Sequence, residues 1–463
     1  MPLSKSPAPP SNSHLTHYKT LGLLITLYLA QGLPAGFITQ ALPAILREYK
    51  VSLVAIGWSG LILVPWGLKF LWATVVDGYY SQKIGRAKSW ILPMQGLSIV
   101  ILVAVAFFEP HNLAQTRSVM TLYGMLFTLS LIGATHDVAT DGLATRLLKV
   151  AMAPKEPLTH DMPAPDSVTQ TTNHHHRQSQ GNAVQVIGYR LGLIIGGGVL
   201  LMLLEQWGWR NSFLAMAALV AMNTVPIVFF KEHTHTSVEP PQKQVQAVKS
   251  GSFKALKNYL SHHYQYFWSS REMLAWLGVL LTFKIADGIS SGMVKPMMVD
   301  VGLNLQQIGF WATILGSAAS VAGAGVATIL MKRLTRFTSL LYFNLAQALT
   351  TGLYGLVAYG FYHQLLTDFL WLYVVNALEH FCASLALIAM LTTIMHYSRP
   401  ANAGSDFTVQ VCLLTVLGGS AHFASGYMAH FLGYQWHFLV SMLIGFVCLA
   451  PIIYWHKLQN NEK

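Results

Sequence analysis

His136, Asp137 and Asp141 fall within one largely apolar run, Ala134-Thr-His-Asp-Val-Ala-Thr-Asp-Gly142. On a helix the two aspartates, four apart, share a face, and His136 lies ~100° round from Asp137. A charge at bilayer depth costs several kcal/mol unless something interacts with it, so the chemistry open to this cluster is proton uptake and release or ion pairing. The next apolar run offers Tyr189 and Arg190, whose planar fork can hold one carboxylate while the other stays free to titrate. Whether burial or the arginine then governs the free carboxylate is open at this stage. Asp137 and Asp141 are accordingly candidates for proton coupling, beside the plainer reading of a buried ion-pair network that sets helix register.

Other apolar runs are interrupted in the same way. Lys69 opens Lys69-Phe-Leu-Trp-Ala-Thr-Val-Val-Asp77; Lys284 and Asp287, three apart, can pair within a helix; Glu379 and His380 share a later run, and Asp406 opens the one after. Asp287 is a third proton-coupling candidate. Lys69, Arg190 and Lys284 give the interior a cationic element that suits an anionic cargo, although each base could simply neutralise an intramembrane acid.

The elements that must position these residues are membrane spans. The chain has 463 residues, 53% hydrophobic and 10% charged, far from the ~25% charged content of soluble domains. At ~20 apolar residues per crossing, the spacing predicts helices over 20–43, 54–76, 89–108, 119–147, 183–204 and 211–230, then 273–298, 306–331, 338–361, 366–395, 404–429 and 434–455. No apolar stretch precedes Leu21, so the first span is expected to stay as a helix. Lys and Arg crowd the loops on the side of the termini, whereas the opposite loops carry few, among them Arg47, Lys50, Arg117, Arg210 and Lys295. Both termini are therefore expected in the cytoplasm. The net charge of +11 is spread over these loops, which speaks for orientation and against nucleic acid. Cys382, Cys412 and Cys448 lie in apolar runs and read as packing residues, and no metal or cofactor site is expected.

Two polar insertions divide the chain: 150–182, with Asn173-His-His-His176, and 231–270. The first reads as solvated filler and the second as a linker. The expected organisation is a tail over 1–19, a six-helix bundle over 20–230, the linker, a second bundle over 271–456 and a tail over 457–463. Val51-Ser-Leu-Val-Ala-Ile-Gly-Trp58 and Leu303-Asn-Leu-Gln-Gln-Ile-Gly-Phe310 occupy the same place in each half. Parallel repeats of this kind predict the all-α major facilitator fold, with 12 transmembrane helices in two six-helix bundles that rock about a midplane cavity. Two glycines and two prolines break up the first helix, Gln31-Gly-Leu-Pro-Ala-Gly-Phe-Ile-Thr-Gln-Ala-Leu-Pro43. Freed backbone groups are tolerated against a wet cavity, which makes Gln31, Thr39 and Gln40 candidate substrate contacts; close helix packing at Gly32 and Gly36 is the other reading.

Asp77 with Gly85-Arg86-Ala-Lys88 resembles the signature that major facilitator transporters carry between helices two and three, a cytoplasmic latch whose basic residues meet helix C-termini or anionic lipid. Further runs resemble one branch of that superfamily, the group of the muropeptide permease AmpG and the RhtX/FptX-type siderophore importers. They are Gln31-Gly-Leu-Pro34 with Thr39-Gln-Ala-Leu-Pro43, Pro65-Trp-Gly-Leu-Lys-Phe-Leu-Trp72, Ser89-Trp-Ile-Leu-Pro93, His136-Asp137 with Asp141-Gly142, and Gly188-Tyr-Arg-Leu-Gly192. The first and third look closer to the siderophore importers; His136 stands where the group is expected to carry Gln.

The resemblance implies a bacterial inner-membrane permease and no enzyme. It is expected to import an intact ferric siderophore with protons, the substrate bringing its own iron ligands. AmpG-like muropeptide import, efflux of a small molecule, and a membrane sensor are the alternatives.

Overall fold

Lipid offers backbone groups no partner, so each apolar run has to close its own hydrogen bonds as a helix. The computed structural model describes residues 12–150, 185–232, 265–399 and 403–461, and every regular element among them is helical. The His-containing insertion and most of the expected linker lie outside the described residues. Among the described residues, ten helical stretches are long and apolar enough to cross a bilayer, and two of them hold a pair of crossings. The first half consists of α1 (Lys19–Glu48), α2 (Leu53–Leu71), α3 (Lys88–Ala106), α4 (Thr116–Val150), α5 (185–207) and α6 (209–229). The second consists of α7 (Arg271–Val301), α8 (Leu305–Leu330), α9 (Arg336–Tyr362), α10 (Leu370–His396), α11 (406–432) and α12 (434–460). The paired crossings turn at Gly208 (φ 71°, ψ 174°) and Gly433 (φ 73°, ψ 164°), a conformation essentially confined to glycine.

Local breaks shift several predicted boundaries. α1 runs on to Glu48, past the expected end at Pro43, because a π-helical turn over Phe37–Ala41 lets the helix restart at Leu42 with the proline in its first turn, where its missing N–H costs nothing. α7 is interrupted at Lys284 (φ −94°, ψ 2°) between Arg271–Phe283 and Ile285–Val301. α1 crosses α5 closely at the two glycines: a Cβ on Gly36 would lie 2.6 Å from the Leu193 carbonyl oxygen.

The repeat read in the sequence is a repeated turn. After α1, the Lys50 N–H bonds to Arg47 O (2.9 Å) and Val51 N–H to Leu46 O (2.9 Å); after α7, Gly302 and Leu303 bond likewise to Val299 O and Met298 O (both 3.0 Å). The next helix is then capped by Ser52, accepting from Ala55 N–H (3.2 Å), or by Asn304, accepting from Gln307 N–H (2.8 Å). This is a left-handed C-terminal turn followed by a side-chain N-cap. One copy uses glycine (φ 110°) and the other Lys50 (φ 60°), where a side chain costs about 1 kcal/mol. Lys50→Gly is expected to stabilise the protein by about 0.5–1 kcal/mol and Gly302→Lys to destabilise it by at least as much. Opposite shifts of the thermal unfolding midpoint in detergent check this.

The apolar cores show how the halves meet. At the end opposite the termini, one cluster draws Leu33, Phe37, Leu42, Ile45 and Ile56 together with Met293, Met297, Met298, Ile308 and Ala312. At the end nearer the termini the cores are separate: Leu27, Val76, Ile91 and Leu143 belong to the first half alone, Trp276, Phe343, Met390 and Trp455 to the second alone. Among the described residues the bundles thus share one apolar core at one end, a seal between them, and keep separate cores at the other. α2 and α11 stay in contact furthest down, where Cys412 Sγ lies 3.6 Å from Trp66 O.

Candidate functional site

The acidic cluster of α4 lies below the seal, toward the end where each half keeps its own apolar core. Asp137 forms an ion pair with Lys69, which a short 3₁₀ turn, Lys69–Leu71, presents from the end of α2. The Lys69 ammonium also sits 5.5 Å from the centre of the Trp66 ring. Gln31 of α1 completes the group: with its amide assigned in the orientation that satisfies both neighbours, the nitrogen donates to Asp137 Oδ1 (3.3 Å) and the oxygen faces His136 Nδ1 (3.1 Å). One turn on, Asp141 Oδ1 accepts from the Tyr28 hydroxyl (2.8 Å) and from Gln185 Nε2 (3.3 Å). The side chains of Lys69 and Asp137 keep 19% and 9% exposure. An ion pair this deep needs its other valences met by hydrogen bonds, and Gln31 meets one of them.

In the second half, Lys284 Nζ lies 2.7 Å from Asp287 Oδ2, and Gln347 Nε2 donates to Asp287 Oδ1 (2.8 Å). The expected pairing within one helix is present, across the break in α7. Glu379 lies 3.1 Å from His380 Nδ1, yet that nitrogen makes no hydrogen bond of good geometry among the described residues, so the proximity comes from adjacency on α10. Between the halves, Lys295 Nζ donates to Gln40 Oε1 (2.6 Å) and Ser59 Oγ meets His422 Nε2 (3.1 Å). Beyond them the seal ends in Arg47 Nε to Asp300 Oδ1 (2.7 Å), with the Tyr434 hydroxyl on Asp300 Oδ2 (2.6 Å).

Two sequence readings are corrected. Lys295, placed in a loop, is inside α7 and buried; a charge ordinarily marks a span boundary, and here a cross-half hydrogen bond carries it inward. Arg190, expected to hold an α4 carboxylate, makes no ion pair with one among the described residues; Lys69 of α2 pairs with Asp137 instead, and α5 reaches the same face of α4 through Gln185 on Asp141. Arg190 and Tyr189 are half-buried on α5, where the Tyr189 carbonyl abuts Gly32. Thr39 bonds to Ala35 O within α1 (2.7 Å); its hydroxyl satisfies its own helix.

In the loop after α2, Gly85 takes a positive φ of 108°. Lys88 Nζ donates to the carbonyls of Val228 (2.8 Å) and Phe230 (2.9 Å) at the end of α6, and the Arg86 guanidinium lies 5.8 Å from the Tyr80 ring centre. The Asp77 side chain lies outside the described residues. Sequence reasoning missed Glu232, which caps the start of α3 through Ala87 N–H (3.0 Å) and Lys88 N–H (3.2 Å) and pairs with Arg146 of α4 (3.1 Å). It follows the last apolar residue of α6 and carries no local signal. A cavity of about 620 Å³ lies away from all these groups, between Lys332 and Arg336 and the ends of α8 and α10. The described residues hold no cluster able to bind a metal ion.

Residues 20–153 match the family described as acetyl-coenzyme A transporter 1. The anhydromuropeptide permease of Escherichia coli is 25% identical over 401 residues, covering 85% of this chain and 71% of that one. The putative transporter AmpG 4 of Rickettsia felis is 21% identical over 442 residues, covering 94% and 96%. Among solved structures, a POT family transporter in complex with a thioalcohol conjugated peptide superposes with a TM-score of 0.65 at 12% identity, covering 95% and 96%. The D-xylose-proton symporter gives 0.64 at 12% identity, covering 95% and 97%. The chain has the all-α major facilitator fold shared by such transporters.

Proposed function

We propose that this chain is a secondary transporter that imports an intact anionic sugar–peptide conjugate of the muropeptide class, by alternating access and with protons. The observation that carries the transporter reading is one apolar core shared by the halves at one end and separate cores at the other, with a set of intramembrane ion pairs between. A protein that only had to hold itself together would close both ends on one core. The Lys and Arg excess on the side of the termini supports an orientation with both termini in the cytoplasm, in a bacterial inner membrane, so that the described state is open inward.

The likeness to the anhydromuropeptide permease supports the cargo class, and a muropeptide brings carboxylates that suit the cationic groups of the interior. The ferric siderophore that the sequence favoured has no support among these relatives and stands as the second reading. Asp141, held by the Tyr28 hydroxyl within a turn of the Lys69–Asp137 pair, is the carboxylate we assign to proton coupling.

The test is uptake in right-side-out and inverted vesicles of a labelled anhydromuropeptide against a radio-iron-loaded siderophore, with lumenal pH followed. Muropeptide entry with acidification is the expected result for the wild type. Asp141→Asn is expected to abolish acidification and to slow uptake against a gradient at least about tenfold. Iron uptake without muropeptide uptake would replace the cargo assignment, and movement only outward would replace the direction.

A further inference from the structure

We propose that Lys295 is the anion anchor of the transport path: its ammonium takes a carboxylate of the cargo in place of the Gln40 amide. This rests on the transporter reading and not on the muropeptide as cargo. Lys295 is 9% exposed, and an ammonium has three donors. One goes to Gln40 Oε1 at 2.6 Å. The two other interior lysines, Lys69 and Lys284, each sit on an aspartate, whereas Lys295 has no carboxylate within ion-pair distance among the described residues. Glu379 of α10 acts on it electrostatically from further away. His422, which Lys295 also influences, is engaged with Ser59. A buried ammonium held by a neutral amide alone is costly, and an intramembrane cation in that position marks a substrate path.

Its place in the fold makes the anchor consequential. Lys295 precedes Asp300 by five residues on α7, and Gln40 precedes Arg47 by seven on α1, so the pair lies ~7–10 Å inside the Arg47–Asp300 bridge. Gln40 sits on the π-helical turn Phe37–Ala41, a feature often found where a helix does functional work. The two residues come from different halves. A carboxylate that displaces Gln40 therefore removes a hydrogen bond between the halves next to the seal, so that cargo arrival biases the protein toward opening the other end.

The first measurement does not depend on the cargo's identity. In nanodiscs, Lys295 is reacted with a small amine-acylating reagent and the modified peptide is quantified by mass spectrometry, with glutarate or glutaramide present. Glutarate is expected to slow the modification several-fold and glutaramide to leave it unchanged. Equal rates, or a Lys295 that never reacts, would overturn the proposal. The second compares binding of an anhydromuropeptide with that of its carboxamide. The wild type is expected to prefer the acid roughly 10- to 100-fold, Lys295→Gln to lose that preference, Lys295→Arg to retain it, and Gln40→Ala to bind at least as tightly as the wild type. If Lys295 merely holds the halves together, Gln40→Ala and Lys295→Gln behave alike. A wild type that binds neither form refutes the muropeptide assignment, and the glutarate result still decides Lys295.

Discussion

Lys69→Met is expected to reduce uptake to background and to lower stability by about 3–5 kcal/mol, the cost of stripping the counter-charge from a buried carboxylate. Asp137 keeps only 9% side-chain exposure, and the neutral amide of Gln31 would be left to face it. The charge must then be hydrated by opening the bundle or quenched by a bound proton, and either route changes the α2–α4 contact. Lys69→Met/Asp137→Leu separates stability from function. Replacing a whole buried pair by apolar groups of similar volume is close to neutral, so the double variant should unfold within about 1 kcal/mol of the wild type while remaining inactive. The checks are the thermal unfolding midpoint in detergent and uptake in vesicles, run on the same preparations. An active double variant would reduce the pair to a packing device; a single variant as stable as the wild type would show that Asp137 carries no buried charge.

The difference between what was legible in the sequence and what was not follows from range. Twelve crossings could be read because a bilayer demands an apolar run for each, and the repeated turn because Ile56-Gly57 and Ile308-Gly309 stand in the same register behind a polar cap. The Lys284–Asp287 pair is local, three residues apart, and was legible for that reason. The choice of Lys69 over Arg190 as the partner of Asp137 was not, since it depends on which neighbouring side chain reaches that face of α4. Lys295 was misplaced because its environment is set by Gln40, a residue in the other half of the chain. The extension of α1 past Pro43 turned on a π-helical turn that leaves no trace in hydrophobic periodicity. Glu232 was missed because a carboxylate in a polar stretch looks solvated until a helix N-terminus is found against it.

A leucine at Gly309 or Gly57 is expected to trap the transporter with its sealed end open. These glycines sit at two of the tight cross-half contacts: a Cβ on Gly309 would lie 2.5 Å from Gly198 O, and one on Gly57 would lie 2.8 Å from Phe423 O and 2.9 Å from the Gly426 Cα. The opposing atoms are backbone and cannot turn aside as a side chain would. Overpacking of this kind costs about 1–3 kcal/mol or more. Relief is available by rigid-body parting of the halves, because each keeps its own apolar core at the other end. A differential cost of about 3 kcal/mol shifts a two-state equilibrium roughly 100-fold. With the native cysteines replaced and Gln40→Cys as reporter, an impermeant thiol reagent added on the side of Arg47 should label the Gly309→Leu protein and spare the parent, while uptake falls to background. Gly124→Ala is the control, since nothing lies within 4 Å of its Cβ position, and it should transport normally. If Gly309→Leu stayed unlabelled yet folded, the two bundles would not move as rigid bodies about this contact, and the alternating-access reading would lose its hinge.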